Sequence, residues 1–224
     1  MEIVKNIYQI PGVFANSYLI VEPEGLTLID AGIPGSGKKI LQYIDSLGRS
    51  PHDLKRILIT HADMDHVGGV SAVKNATGAR VYTGAVESQA MSEGKSSRPV
   101  KAGGFSVRRL LISIAGRLFR THPTPADELI TDGWTLPVAG GLRAVETIGH
   151  TPGHFSYYLP TIGVLFSGDS IIADDKGLQV SRPGFTWDAV KAGEAVQRQA
   201  ALGARVVCPG HGPVVKDAAG RFPA

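Results

Sequence analysis

Four short apolar runs in this sequence are each followed closely by a histidine or an aspartate. The runs are RILIT, LRAVET, VLFSG and RVVC, and the residues that follow them are His61, His150, Asp169 and His211. Apolar runs of this length, bounded by turn residues, predict buried β-strands. Loops at the ends of strands on one side of a sheet are a favoured place for a functional site. The pattern therefore predicts an α/β fold with a polar site at one sheet edge.

The remaining sequence alternates between predicted strands and predicted helices. Strands are expected at 2–10, 17–21 and 26–30, ahead of an amphipathic helix at 37–47. A second helix is expected to end near Gly78, and a third to run from about 187 to 202. A helix with apolar residues on one face buries that face against the core, here against a sheet. This order predicts two mixed β-sheets with helices on their outer faces.

The region at about 85–131 interrupts this alternation. It contains a polar segment, SEGKSSRPVKAGG, followed by FSVRRLLISIAGRLFR, which has an apolar stripe on one helical face and arginines on the other. We predict a single domain over 1–224 with an inserted cap at about 85–131. The apolar stripe has three alternative roles: it lines a substrate pocket, it packs on the sheet, or it forms a homodimer contact.

Composition narrows the class of partner and compartment. Hydrophobic residues make up 43% of the chain, which allows a sizeable core, and the formal net charge is only +3. The basic stretch 98–120 is too weak a signal for nucleic-acid binding. The single cysteine excludes an intramolecular disulfide, and no apolar stretch approaches the length of a membrane span. Together with the absence of a signal-peptide pattern, these features predict a cytoplasmic protein.

The segment THADMDH has the density of side chains expected of a metal site. Its potential ligands are His61, Asp63, Asp65 and His66. A tight loop can direct the first two toward one ion and the last two toward a second ion. The alternative is that the aspartates cap the following helix and that the histidines are ordinary loop residues. The combination with three further strand-end residues favours a metal site.

Five segments together resemble the motifs of the metallo-β-lactamase superfamily. In chain order they are LTLIDAG, ILITHADMDHVGG, ETIGHTPGH, LFSGDS and VVCPGHGP. The resemblance covers most of the chain. It implies a four-layer αββα sandwich of two mixed β-sheets with two divalent metal ions at one edge. Zinc is the favoured ion, and manganese or iron is the alternative.

The resemblance also implies a role for individual positions. The first metal would be held by His61, Asp63 and His150, the second by Asp65, His66 and His211, and Asp169 would bridge them. Asp65 would also be catalytic, because it could orient the nucleophile and later carry a proton to the leaving group. His154 and Asp30 would support these residues without binding metal.

Position 63 departs from the commonest pattern of the superfamily, His-x-His-x-Asp-His. Here the second histidine is replaced by Asp63. A carboxylate is a harder ligand than imidazole and carries a negative charge, so it suits manganese or iron and still accepts zinc. The departure leaves metal binding in place and widens the choice of metal.

The function implied is a metal-dependent hydrolase acting on a small molecule. A metal-activated bridging water would cleave an ester, thioester, lactone or phosphoester bond. Thioesterases of the glyoxalase II type are disfavoured by the short tail after His211, and known lactonases by Ser170–Ile172, where they have a tyrosine. One alternative is a di-iron redox enzyme that works with a separate flavoprotein, since such enzymes carry a carboxylate at position 63. A non-catalytic metal-binding module is the second alternative.

Overall fold

The computed structural model describes residues 1–98 and 121–223, and its largest element is a seven-stranded sheet. The strands lie in chain order: β1 (Glu2–Val4), β2 (Ile7–Gln9), β3 (Tyr18–Glu22), β4 (Gly25–Ile29), β5 (Leu54–Leu58), β6 (Arg80–Gly84) and β7 (Glu128–Ile130). From β4 to β7 the neighbouring strands run parallel, whereas β1 to β4 pair antiparallel. The carboxyl ends of β4, β5 and β6 therefore share one edge.

A second, six-stranded sheet packs against the first. Its strands are β8 (Thr135–Leu136), β9 (Leu142–Glu146), β10 (Phe155–Leu159), β11 (Val164–Gly168), β14 (Val206–Pro209) and β15 (Val215–Lys216). Along the chain, β11 and β14 are separated by a hairpin of β12 (Ile171–Asp174) and β13 (Gly177–Val180), which forms a two-stranded sheet of its own. Strands β11 and β14 run parallel, so their carboxyl ends also meet at one edge.

Helices cover the outer face of each sheet. They are α1 (Ser36–Ser46), α2 (Met64–Val67), α3 (Val70–Thr77), α4 (Ala85–Ser92) and α5 (Ala189–Ala200). Ile40, Ile44 and Val73 bury their side chains against the first sheet, and Val196 packs against the second. The result is the predicted four-layer αββα sandwich. Every helix in the described part of the chain is too short or too polar to cross a bilayer.

The core between the two sheets also fixes the edge that carries the polar residues. Tyr18 of β3 and Phe166 of β11 are buried, with ring centroids 5.4 Å apart. The Tyr18 hydroxyl donates to the carbonyl of Pro209 at 2.6 Å, and the Tyr157 hydroxyl donates to that of Ile59 at 2.7 Å. Because Pro209 and Ile59 precede the loops of His211 and His61, core packing and loop position are linked.

The predicted cap at about 85–131 includes elements of the main fold at both ends. Helix α4 buries Ala90 and Met91 against the outer face of the first sheet, and β7 is the seventh strand of that sheet. The amphipathic stretch falls within 99–120, outside the described residues. The cap and the homodimer contact therefore stay predictions.

Candidate metal centre

The seven residues predicted as ligands come together at one edge of the sandwich. They form three overlapping groups whose ligand atoms lie within 4.8 Å of one another: His61, Asp63 and His150; His61, His66 and Asp169; and Asp65, His66 and His211. Each loop leaves a strand whose carboxyl end points to this edge: β5, β9, β11 or β14. The topology therefore explains why residues distant in sequence converge.

The first group, which consists of His61, Asp63 and His150, is centred on Asp63. Its Oδ2 lies 3.2 Å from Nε2 of His150 and 3.5 Å from Nε2 of His61. Its Oδ1 accepts a hydrogen bond from Ser96 Oγ at 2.5 Å, and Arg98 Nη2 donates to Oδ2. Burial raises the pKa of Asp63, but the hydrogen bond from His150, the nearby His61 ring and the charge of Arg98 outweigh burial and hold it well below its usual value. The side chain of Asp63 is therefore an ionised carboxylate whose negative charge is balanced by Arg98.

The second group, which consists of Asp65, His66 and His211, is more exposed to solvent than the first. Nε2 of His211 lies 3.1 Å from Oδ2 of Asp65, and both side chains are partly exposed. The hydrogen bond that His211 donates to Asp65 raises the pKa of His211. The ring of Phe14 packs edge-on against His211, with centroids 5.9 Å apart. Asp65 and His211 are the most exposed of the seven candidate ligands.

Asp169 lies between the two groups. Its Oδ1 is 3.4 Å from Nε2 of His66, and its Oδ2 is 3.4 Å from Nε2 of His211 and 3.7 Å from that of His150. Burial raises the pKa of Asp169, but the nearby histidines, His66 first and then His61 and His150, bring it far below its usual value. An ionised carboxylate that faces both groups has the geometry required to bridge two cations.

Asp30 supports this centre from the end of β4. Its Oδ1 accepts from the Thr60 backbone N–H at 2.8 Å, and its Oδ2 accepts from the Thr60 hydroxyl at 2.8 Å and lies 2.8 Å from Nδ1 of His66. Thr60 Oγ1 can then accept from Nδ1–H of His61, 3.0 Å away. Both histidines are thereby held with Nε2 directed into the centre. Asp30 adopts a φ of 56°, a left-handed conformation that aspartate tolerates better than most residues.

His154 has the supporting position predicted for it. The side chain is fully buried, and its Nε2 accepts from the backbone N–H of Asp169 at 3.1 Å. Its Nδ1 lies 2.8 Å from the Thr147 hydroxyl. Burial and the neighbouring histidines lower its pKa well below the usual value, so the ring is neutral. His154 orients the Asp169 loop and belongs to none of the three groups.

The donors of the centre fit a bound metal. Nε2 of His61, Nε2 of His66 and Oδ1 of Asp169 are buried and have no hydrogen-bond partner among the described residues. An unpaired buried polar atom costs about 1–3 kcal/mol, so three together need a partner. A Cβ at Gly210 would lie 2.2 Å from Oδ1 of Asp169, so the missing side chain leaves room for this carboxylate. Nitrogen and carboxylate donors suit zinc, manganese or iron.

Several residues at the centre carried no sequence signal. Ser181 Oγ lies 2.7 Å from Nδ1 of His150. Glu87 of α4 accepts hydrogen bonds from the loop of His61 and from the loop of His150. Arg98 was visible only as one of several basic residues. A serine, a glutamate in a short helix and an arginine in a polar segment are ordinary surface residues until the fold buries them.

Comparison with known proteins gives a consistent assignment. The family model described as the metallo-beta-lactamase superfamily matches residues 10–211. The uncharacterised protein YobT of Bacillus subtilis is 32% identical over 95% of this chain and 89% of its own length. The probable metallo-hydrolase YflN of the same organism is 25% identical over 94% and 85%.

A solved structure extends the likeness to three dimensions. A metallo-beta-lactamase family protein from Thermus thermophilus is 26% identical and superimposes with a TM-score of 0.76, covering 98% of this chain and 78% of that one. Together with the family match, this confirms the predicted fold and the predicted class of enzyme, a metal-dependent hydrolase. The chain belongs to the metallo-β-lactamase superfamily.

Proposed function

We propose that this protein is a two-metal hydrolase that cleaves an ester, thioester, lactone or phosphoester bond in a small molecule. The position of Asp169 carries this proposal, because its carboxylate lies within 3.4 Å of His66 and His211 in the second group and 3.7 Å from His150 in the first. When bound, the two ions would supply an activated water and polarise the bond under attack. The residues of this chain hold the ions, orient the reacting groups and move the proton.

The proposed ligands follow the three groups of side chains. One ion would be held by His61, Asp63 and His150, the other by Asp65, His66 and His211, and Asp169 would contribute to both. Zinc is the first choice, because most of the donors are imidazoles. Asp63 makes manganese or iron the alternative.

Asp65 is the proposed acid and base of the reaction. Its carboxylate is only partly buried and lies 3.1 Å from His211, on the side of the centre open to substrate. Burial raises its pKa, but the hydrogen bond from His211 and the charges of His66 and His61 lower it below the usual value. An ionised carboxylate at this point can orient the nucleophile and then pass a proton to the leaving group.

Two exposed phenylalanines support a substrate with an apolar part. Phe14 is 70% exposed and packs on His211, and Phe185 is 60% exposed. The carbonyl of Phe185 accepts a hydrogen bond from Arg98 Nη1 at 2.6 Å, which connects this ring to the Asp63 side of the centre. Apolar rings beside a polar centre suit an acyl or aromatic group in a small molecule. The predicted contribution of the cap to this pocket stays a prediction.

A panel of small substrates tests the proposed reaction. The protein, loaded with zinc or with manganese, is offered a p-nitrophenyl ester, a thioester, a lactone and a phosphodiester, before and after treatment with a chelator. We expect turnover of at least one substrate, its loss on chelation and its recovery when metal is returned. Turnover that persists in metal-free protein would exclude the proposal.

The same preparations distinguish the two alternative functions. The carboxylate of Asp63 is the observation that favours a di-iron redox enzyme, because carboxylates suit iron. Two bound irons with visible absorption and no ester turnover would indicate redox work with a flavoprotein. Full metal loading with no turnover of any substrate would indicate a metal-binding module.

Asp63→His should shift metal preference toward zinc. Imidazole favours zinc and carboxylate favours manganese, so we expect the ratio of zinc to manganese affinity to rise by about tenfold. In this variant Arg98 loses its carboxylate partner and stands beside the ions. The double variant with Arg98→Met should therefore bind both metals more tightly than Asp63→His alone. A competition titration measures both effects, and an unchanged ratio would mean that Asp63 is not a ligand.

A further inference from the structure

A buried glutamate outside the predicted ligand set connects the loops of the first group. Glu87, in α4, has no exposed surface. Its Oε2 accepts from the Ala62 backbone N–H at 2.8 Å. Its Oε1 accepts from the hydroxyls of Thr151 at 2.7 Å and Ser97 at 2.8 Å, and from the Gly153 N–H at 3.0 Å. The carboxylate of Glu87 therefore accepts four hydrogen bonds in the interior of the protein.

These donors come from the segments that carry the first group. Ala62 lies between His61 and Asp63, and Thr151 directly follows His150. Ser97 lies between Ser96 and Arg98, which donate to Asp63. Glu87 is therefore the point at which two ligand loops and the segment that balances Asp63 are joined. In the second group, His66 is held directly by Asp30, which reaches His61 of the first group only through Thr60.

The loop after His150 is shaped to let the carboxylate approach. A Cβ at Gly153 would lie 2.9 Å from Oε1 of Glu87 and 2.7 Å from Cβ of Val86. Any larger residue at 153 would push the loop away from α4. A carboxylate is an acceptor only, whereas an amide of the same shape would turn an NH2 group toward at least one of the four donors.

We infer that Glu87 is a positioning residue for the first metal, held by His61, Asp63 and His150; this inference rests on the proposed two-metal function. The hydrogen bonds of Glu87 go to backbone and hydroxyl groups beside the ligands and not to the ligand side chains, so Glu87 acts through those groups. Loss of such an outer contact reduces metal affinity by about 10–100-fold in other metal sites. We expect Glu87→Gln to weaken the first metal by that factor and to leave the second unchanged.

The two affinities are separated by removing one group at a time. Zinc titrations followed by calorimetry are made on the whole chain carrying His211→Ala, which keeps the first group, and on the chain carrying His150→Ala, which keeps the second. Glu87→Gln is then added to each. Ser97→Ala is the matched control, because it removes one donor and leaves the carboxylate and both backbone contacts. Thermal unfolding of the metal-free proteins reports any general loss of stability.

The inference predicts a selective result. Glu87→Gln should weaken zinc about 10–100-fold in the His211→Ala chain and have no effect in the His150→Ala chain. Ser97→Ala should have a smaller effect. Equal weakening in both chains, or a lower unfolding temperature with unchanged zinc affinity, would overturn the positioning role and make Glu87 purely structural.

The proposed function fails in a different way. Wild-type protein that binds no zinc would overturn the two-metal proposal, and the role of Glu87 with it. Wild-type protein that binds two zinc ions, with Glu87→Gln indistinguishable from it, would overturn only the inference about Glu87.

Discussion

Asp169→Asn should reduce turnover at least about 1,000-fold, because stabilisation by metal is worth several kcal/mol and each 1.36 kcal/mol is a factor of ten in rate. The substitution keeps the size of the side chain and removes the negative charge that faces both groups of histidines. Oδ1 and Oδ2 lie within 3.4–3.7 Å of His66, His150 and His211. Without that charge, two cations held close together repel each other more strongly, because Asp63 and Asp65 each serve only one of them. We therefore expect loss of at least one bound metal together with loss of activity.

Two measurements separate this effect from unfolding. Circular dichroism and thermal unfolding of the metal-free variant should resemble those of metal-free wild type, because the substitution leaves in place the backbone N–H that donates to His154. Asp175→Asn, a change of the same kind at an exposed position, serves as the control and should leave turnover unchanged. An Asp169→Asn protein that keeps two metals and normal turnover would exclude Asp169 from the centre.

Asp65→Asn has the second largest expected effect, a loss of at least ~100-fold in turnover with the fold intact. An asparagine can still place an oxygen near the second group, but it can neither accept nor deliver the proton of the reaction. The side chain is partly exposed and lies in the first turn of α2, so its replacement disturbs little packing. Most of the loss should appear in kcat, because proton transfer is a feature of the transition state.

Metal content and leaving-group dependence are the controls for Asp65→Asn. If the residue carries a proton, substrates with good leaving groups such as p-nitrophenol should lose less activity than those with poor ones. If the variant instead binds one metal fewer, Asp65 acts mainly as a ligand. Normal turnover with normal metal content would remove Asp65 from the mechanism.

The fold and the convergence of the candidate ligands were predictable because both depend on local pattern. Buried strands appear as short apolar runs, and candidate ligands follow those runs, as His61 follows RILIT and Asp169 follows VLFSG. The carboxyl ends of parallel strands meet at one edge, so a pattern of strand-end ligands implies convergence. The strand β7 was missed, because it has only three residues and lies next to the polar insertion.

The supporting contacts were not predictable, because they depend on tertiary packing. Glu87 lies in an eight-residue helix that has no strongly apolar face, and nothing in AVESQAMS shows that this glutamate is fully buried. Arg98 lies 35 positions after Asp63, in a polar segment. The sequence shows the unusual aspartate at 63, but only the structure shows that an arginine balances its charge. The meaning of position 63 therefore changed from an added negative charge to a paired one.

Counting the metal ions bound per chain tests the two-metal centre most directly. Wild-type protein equilibrated with excess zinc, freed of unbound metal and analysed by inductively coupled plasma mass spectrometry should contain two ions. The variants His150→Ala and His211→Ala, each lacking a ligand from one group, should retain one. A wild-type chain without bound metal, or two ions retained in both variants, would contradict the account.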